Sequence, residues 1–74
     1  MANLPPMRSI YSSHVDSVGY SSETQELYVT WDSGKTSVYS GVPPKLADEV
    51  TNSWSVGKAL TAQIKSAFPH RYVE

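Results

Sequence analysis

Leu27-Tyr28-Val29-Thr30-Trp31 is the stretch that decides the fold of this chain. Leu27, Val29 and Trp31 recur at period two, with Tyr28 and Thr30 between them. Successive side chains leave opposite faces of a pleated strand, so this alternation of apolar and aromatic residues reads as a half-buried strand. Asp32-Ser33-Gly34-Lys35 then closes it as a turn, with Gly34 suited to a positive φ angle. Upstream, Val18 and Tyr20 sit two apart, and Ser21-Ser22-Glu23-Thr24-Gln25 is polar and turn-like. Downstream, Thr36 to Ser40 supplies the third strand of a meander. Met7 to Ser13 reads as a shorter strand anchored by Ile10.

Gly41-Val42-Pro43-Pro44 stops the sheet, and Pro44 suits the first position of a helix, where its missing N–H costs nothing. Leu46 and Val50 give that helix a buried stripe. Asp48 and Glu49 would face solvent near its start, and Thr51-Asn52-Ser53 would break it. A last helix is expected from Ser55, a good N-cap. Leu60, Ile64, Ala67 and Phe68 lie at i, i+4, i+7 and i+8, one apolar stripe, and Pro69 ends it. Residues 70–74 read as a tail that folds back on the sheet. The expected class is α+β: a small antiparallel β-meander of three to four strands followed by two helices packed on one sheet face. Residues 1–7 form a loose N-terminal arm and 8–74 a single domain.

Composition narrows the function. The 74 residues allow one modest core. A net charge of −1 does not suit a general nucleic-acid coat, which needs several uncompensated cations. The absence of Cys removes disulfides, thiol catalysis and thiolate metal sites. No secretory signal and no apolar run of membrane length is visible, so the expectation is a soluble, cytoplasmic protein. Small size makes a homo-oligomer a fair prior.

The pieces, in order, resemble the KTSC domain, found at the C-terminus of some lysyl-tRNA synthetases and as stand-alone bacterial and phage proteins. The resemblance rests on Ser12-Ser13 before Val15, on Val18-Gly19-Tyr20, and on the alternation Leu27, Val29, Trp31. It continues through Ser33-Gly34, Tyr39-Ser40-Gly41-Val42-Pro43, Ser55, Gly57, Ile64 and Phe68-Pro69. This chain departs from the family pattern at Ser37, where the first tyrosine of Tyr-x-Tyr would stand. It departs again at Ala59-Leu60-Thr61, in place of an aromatic pair and an Asn. The resemblance implies fold more than activity; RNA binding is the activity suggested for the family.

The start of the last helix is the leading candidate site. Its first N–H groups lack intrahelical partners and, with the dipole, favour an anion. Ser55 and Gly57 frame that turn, Lys58 and Lys65 are seven apart and so share a helix face with Thr61 between them, and Arg71 follows. Residues 55–73 carry three cations and no acid, whereas residues 1–43 carry two cations and four acids. A capped helix with a solvated lysine face is the competing reading. "GK" is not a P-loop, since Asn52 and Ala59 stand where Gly and Ser or Thr are required.

Among the aromatics, Trp31 and Tyr20 belong with the core, leaving Tyr28 and Tyr39 as the residues to stack on a base. His14 with Asp16 makes a poor metal set, so no metal or other cofactor is expected, and His70 beside Arg71 could assist a phosphate. No serine sits in a nucleophile elbow, and Asp16, Glu23, Glu26 and Asp32 fall near turns and strand ends, where acids are ordinary, so no enzyme is expected.

The expected function is a non-catalytic module binding a phosphate-bearing ligand through Ser55, Gly57, Lys58, Thr61, Lys65, Arg71 and Tyr39. Its partner would be a nucleotide, such as a signalling nucleotide sequestered by a phage-type protein, or short single-stranded RNA, with no membrane involved. The alternative is a protein–protein module or homo-oligomeric adaptor using Tyr11, Trp54 and the Leu4-Pro5-Pro6 arm.

Overall fold

Strand pairing follows chain order throughout. The computed structural model describes residues 7–10, 14–53 and 55–73. In it β1 (Arg8–Ser9), β2 (Val15–Ser21), β3 (Glu26–Trp31), β4 (Thr36–Ser40) and β5 (His70–Val73) form one antiparallel sheet in the order 1-2-3-4-5. Between β4 and β5 lie α1 (Pro44–Thr51), α2 (Val56–Ala59) and a π-helical turn, Leu60–Ile64. The meander expected from the sequence is present, and the tail does fold back, adding β5 beyond the three to four strands expected. Residues 1–6, Tyr11, Ser12, Ser13, Trp54 and Glu74 lie outside the described residues, and with them most of the expected arm, the adhesive patch and the end of the tail.

Register sorts the side chains. Leu27 stands opposite Tyr39 and Val29 opposite Ser37, so one face carries the alternating set read from the sequence. The helices cover that face with Ala47, Val50, Val56, Leu60 and Ile64. Between Val15, opposite Trp31, and Ser17, opposite Thr30, β2 takes one extra residue, Asp16. That bulge lets Val15 and Val18 both point into the core despite their odd spacing. Tyr20 also packs there, its hydroxyl donating to the carbonyl of Val42. On the other face Tyr28 stands opposite Val38 and Arg71 opposite Val38 from the far side.

The β3–β4 turn is tight. Gly34 N–H donates to the Trp31 carbonyl at 2.9 Å, and Trp31 N–H donates to the Lys35 carbonyl at 2.8 Å. Gly34 takes φ +93°, the left-handed value its place in the sequence suggested.

Four local expectations are corrected. Asp48 and Glu49 fall in the second turn of α1, and no acid occupies its first turn. Ser55 does occupy the N-cap, yet its side chain makes no capping bond. The last helix is not one regular α-helix: after a single α-turn it widens, with Lys65 N–H donating to the Leu60 carbonyl, five residues back, at 2.8 Å. The helix therefore closes at Ile64, and Ala67 sits exposed in the following turn instead of on the buried stripe; Leu60 and Ile64 are fully buried and Phe68 partly so.

Candidate functional site

The sheet is wider than its helical cover. On the core-facing side, the alternate residues His70 and Tyr72 of the exposed strand β5 continue the face that carries Tyr39 and Ser37. The result is a groove of about 220 Å³. Its floor is aromatic: Trp31, Tyr39, His70 and Tyr72. Ser33 and Lys35 of the β3–β4 turn wall one side and Lys65 the other. Among the described residues no carboxylate lines it.

Each floor residue is held in place. Trp31 Nε1–H donates to Ser37 Oγ at 2.8 Å, which uses the one polar group of the indole and orients the ring. The His70 ring is tilted 34° against Tyr39 at 5.3 Å and meets Tyr72 edge-on at 5.6 Å. Burial pushes the Tyr39 hydroxyl to a higher pKa, and the neighbouring Tyr72 adds to this. Tyr39 is only 1% exposed, so it supports the floor and offers no free face to a base; Tyr28, at 8%, is likewise covered. Tyr72, at 63%, is the ring that stands open.

The cations rest on the rings. Lys65 Nζ lies 5.6 Å from the Trp31 ring centre and Lys35 Nζ 5.7 Å from that of Tyr72. These are cation–π distances, worth about 0.5–1 kcal/mol each at exposed sites. Both side chains are long and can swing toward an incoming anion with little loss.

The residues proposed from the sequence are split by this geometry. Tyr39 and Lys65 line the groove. Gly57, Thr61 and Lys65 line a second hollow of about 390 Å³ with His14, Trp31 and Asp32. Thr61 Oγ1 donates to the Gly57 carbonyl at 3.0 Å. Ser55 and Lys58 line neither hollow. In a regular α-helix Lys58 and Lys65 would share a face, but the wide turn absorbs one residue and leaves Lys65 about 100° round from that line. Arg71 points to the other side of the sheet, where its guanidinium donates to Glu26 Oε2 at 3.0 Å. Hydrogen bonds from Thr24 and Arg71 hold the Glu26 carboxyl below its ordinary pKa, against a smaller opposing effect of burial. Among the described residues no group of three His, Cys, Asp or Glu is placed to hold a metal ion.

Reading along the chain missed Lys35, Tyr72 and the outward side of Trp31, because they meet only when β5 pairs with β4. The signal that was available is the alternation of His70 and Tyr72, a strand pattern in what reads as a tail.

The sequence model of the KTSC domain matches residues 11–68. This chain belongs to the KTSC domain family. The matched stretch of this KTSC domain contains Trp31, Lys35, Tyr39 and Lys65 and stops before His70 and Tyr72. The crystal structure of a KTSC domain protein from Yersinia pestis is similar to it, with TM-score 0.86 at 26% identity over 93% of this chain and 97% of that one. No curated protein sequence matches. No helix among the described residues of this KTSC domain is long and apolar enough to cross a membrane.

Proposed function

We propose that this KTSC domain is a non-catalytic binding module for a phosphate-bearing ligand, a nucleotide or a short single-stranded RNA, held in the aromatic groove. One observation carries the reading: two lysines flank an aromatic floor with an open tyrosine, and among the described residues no carboxylate lines the groove. The site lies one sheet face away from Arg71 and beside, not at, the first turn of the last helix. Lys35 and Lys65 take the phosphate, and a base stacks on Tyr72, an interaction worth about 1–3 kcal/mol in single-strand binders. The groove is small and the chain nearly neutral, which suits few phosphates over a long duplex. A signalling nucleotide sequestered in the cytoplasm is a ligand of this kind.

Thermal-shift screening against mono-, di- and cyclic nucleotides and short RNA tests the proposal. At least one ligand should raise the melting temperature. Lys35→Ala, Lys65→Ala and Tyr72→Ala should each reduce that shift, while Lys58→Ala leaves it unchanged. If no ligand stabilises the protein, or if Lys58→Ala is the variant that loses the shift, the groove reading is wrong.

A second reading has its own support: β5 is an edge strand, and Tyr72 stands exposed on it, as in a surface that adds a protein strand or a second copy. Salt separates the two. Phosphate binding weakens as salt rises; backbone pairing along a strand edge responds far less.

A further inference from the structure

Trp31 and Lys65 line both hollows. The two spaces therefore flank one residue pair, and a ligand passing from one to the other crosses the indole beside the Lys65 ammonium. Taken alone, the groove of about 220 Å³ is below the range of most small-molecule sites, roughly 300 Å³ upward; with the hollow of about 390 Å³ it falls inside that range.

The chemistry changes across the pair. The groove offers two lysines and, among the described residues, no acid, a place for phosphate. The hollow adds His14, Asp32, Thr61 and the backbone of Gly57, with Lys65 as its lysine. A second phosphate next to Asp32 would be repelled. An ionised carboxylate only accepts hydrogen bonds, so the hollow asks for a neutral group rich in donors. Ribose hydroxyls are such a group, and a carboxylate that accepts from a ribose hydroxyl is a recurrent solution in nucleotide sites.

Resting on the nucleotide reading above, we propose that the ligand spans both hollows across Trp31 and Lys65, with its ribose hydroxyls donating to Asp32. The domain thereby selects ribonucleotides over deoxyribonucleotides. The 2′-hydroxyl is the group that distinguishes the two, and Asp32 is the residue that reads it. The Asp32 side chain can be changed without loss of its turn, because the turn is held by backbone bonds: Asp32 N–H donates to the His14 carbonyl at 2.9 Å, and Gly34 N–H to that of Trp31.

Calorimetric titration with the 5′-phosphorylated diadenylate, in ribose and deoxyribose forms, tests this at low salt. The wild-type protein should bind the ribose form about fivefold to tenfold tighter, as expected for hydrogen bonds to a charged acceptor at an accessible site. Asp32→Ala should bring the ratio to about one by weakening only the ribose form relative to the deoxy form, and Asp32→Asn, which keeps the side-chain shape, should lower it as well. Equal binding of the two forms by the wild type, or a ratio that survives both substitutions, overturns the role of Asp32 and leaves the nucleotide reading standing. If neither dinucleotide binds, this inference falls, and the nucleotide reading falls with it when the thermal-shift screen also finds no ligand.

Discussion

At the scale of single residues, buried polar groups do the positioning. Tyr20 shows it most simply: its ring packs on the core and its hydroxyl donates to the carbonyl of Val42, itself fully buried. Tyr20→Phe keeps the ring and strands that acceptor. A loss of about 1–2 kcal/mol is expected, read as a fall of several degrees in melting temperature; an unchanged midpoint would mean that the carbonyl finds another donor. The sequence placed Tyr20 in the core, and it placed Gly34 in the left-handed region. It misjudged Ser55 for a definite reason. N-cap preference says which residue types can cap, not whether a given side chain rotates toward the turn, and here it does not. Tyr39 was legible as an aromatic but not as a buried one, because its cover comes from elements distant in the chain.

At the scale of elements, the alternation in β3 and the proline start of α1 follow local rules and were readable. The bulge at Asp16 and the π-turn at Leu60–Ile64 were not, since one additional residue per turn leaves no mark in a stretch of five. The π-turn makes a testable contrast. It holds one residue more than an α-turn, so deleting exposed Ala62 converts it to regular helix and keeps Lys65 in place. That variant should fold and retain its ligand-induced thermal shift. Deleting exposed Asp48 from the regular helix α1 instead turns Val50 about 100° off the core. It should cost on the order of 2 kcal/mol for that side chain alone. Equal damage from the two deletions, measured by denaturant midpoint, would deny the π-turn its spare residue.

At the scale of the whole molecule, charge is sorted by sheet face. The sequence showed an excess of cations after residue 54, which suggested that Arg71 would join the lysines. Strand alternation sends it the other way, to Glu26, while His70 and Tyr72 turn to the groove. Net charge along a chain cannot show this, because neighbours in a strand face opposite directions. The Glu26 pair leaves a pH signature. Its carboxyl pKa is lowered on folding from about 4.5, so the unfolded chain takes up the proton first. The stabilisation is complete above that value and is lost as pH falls through the lower, folded value. Thermal unfolding followed from pH 7 down to about 3 should show a decline that Glu26→Gln flattens, with the variant already less stable at neutral pH; parallel curves would assign the acid limb to other groups.

The last strand gives the molecule a further property. β5 is four residues long and, as the last strand in the order, takes its ladder from β4, yet it supplies two of the rings that floor the groove. An edge of that size is where a domain opens first, long before its centre melts. Fraying there and discharge of the bound molecule would be the same event, so the lifetime of the complex is tied to one short zipper and not to the strength of the core.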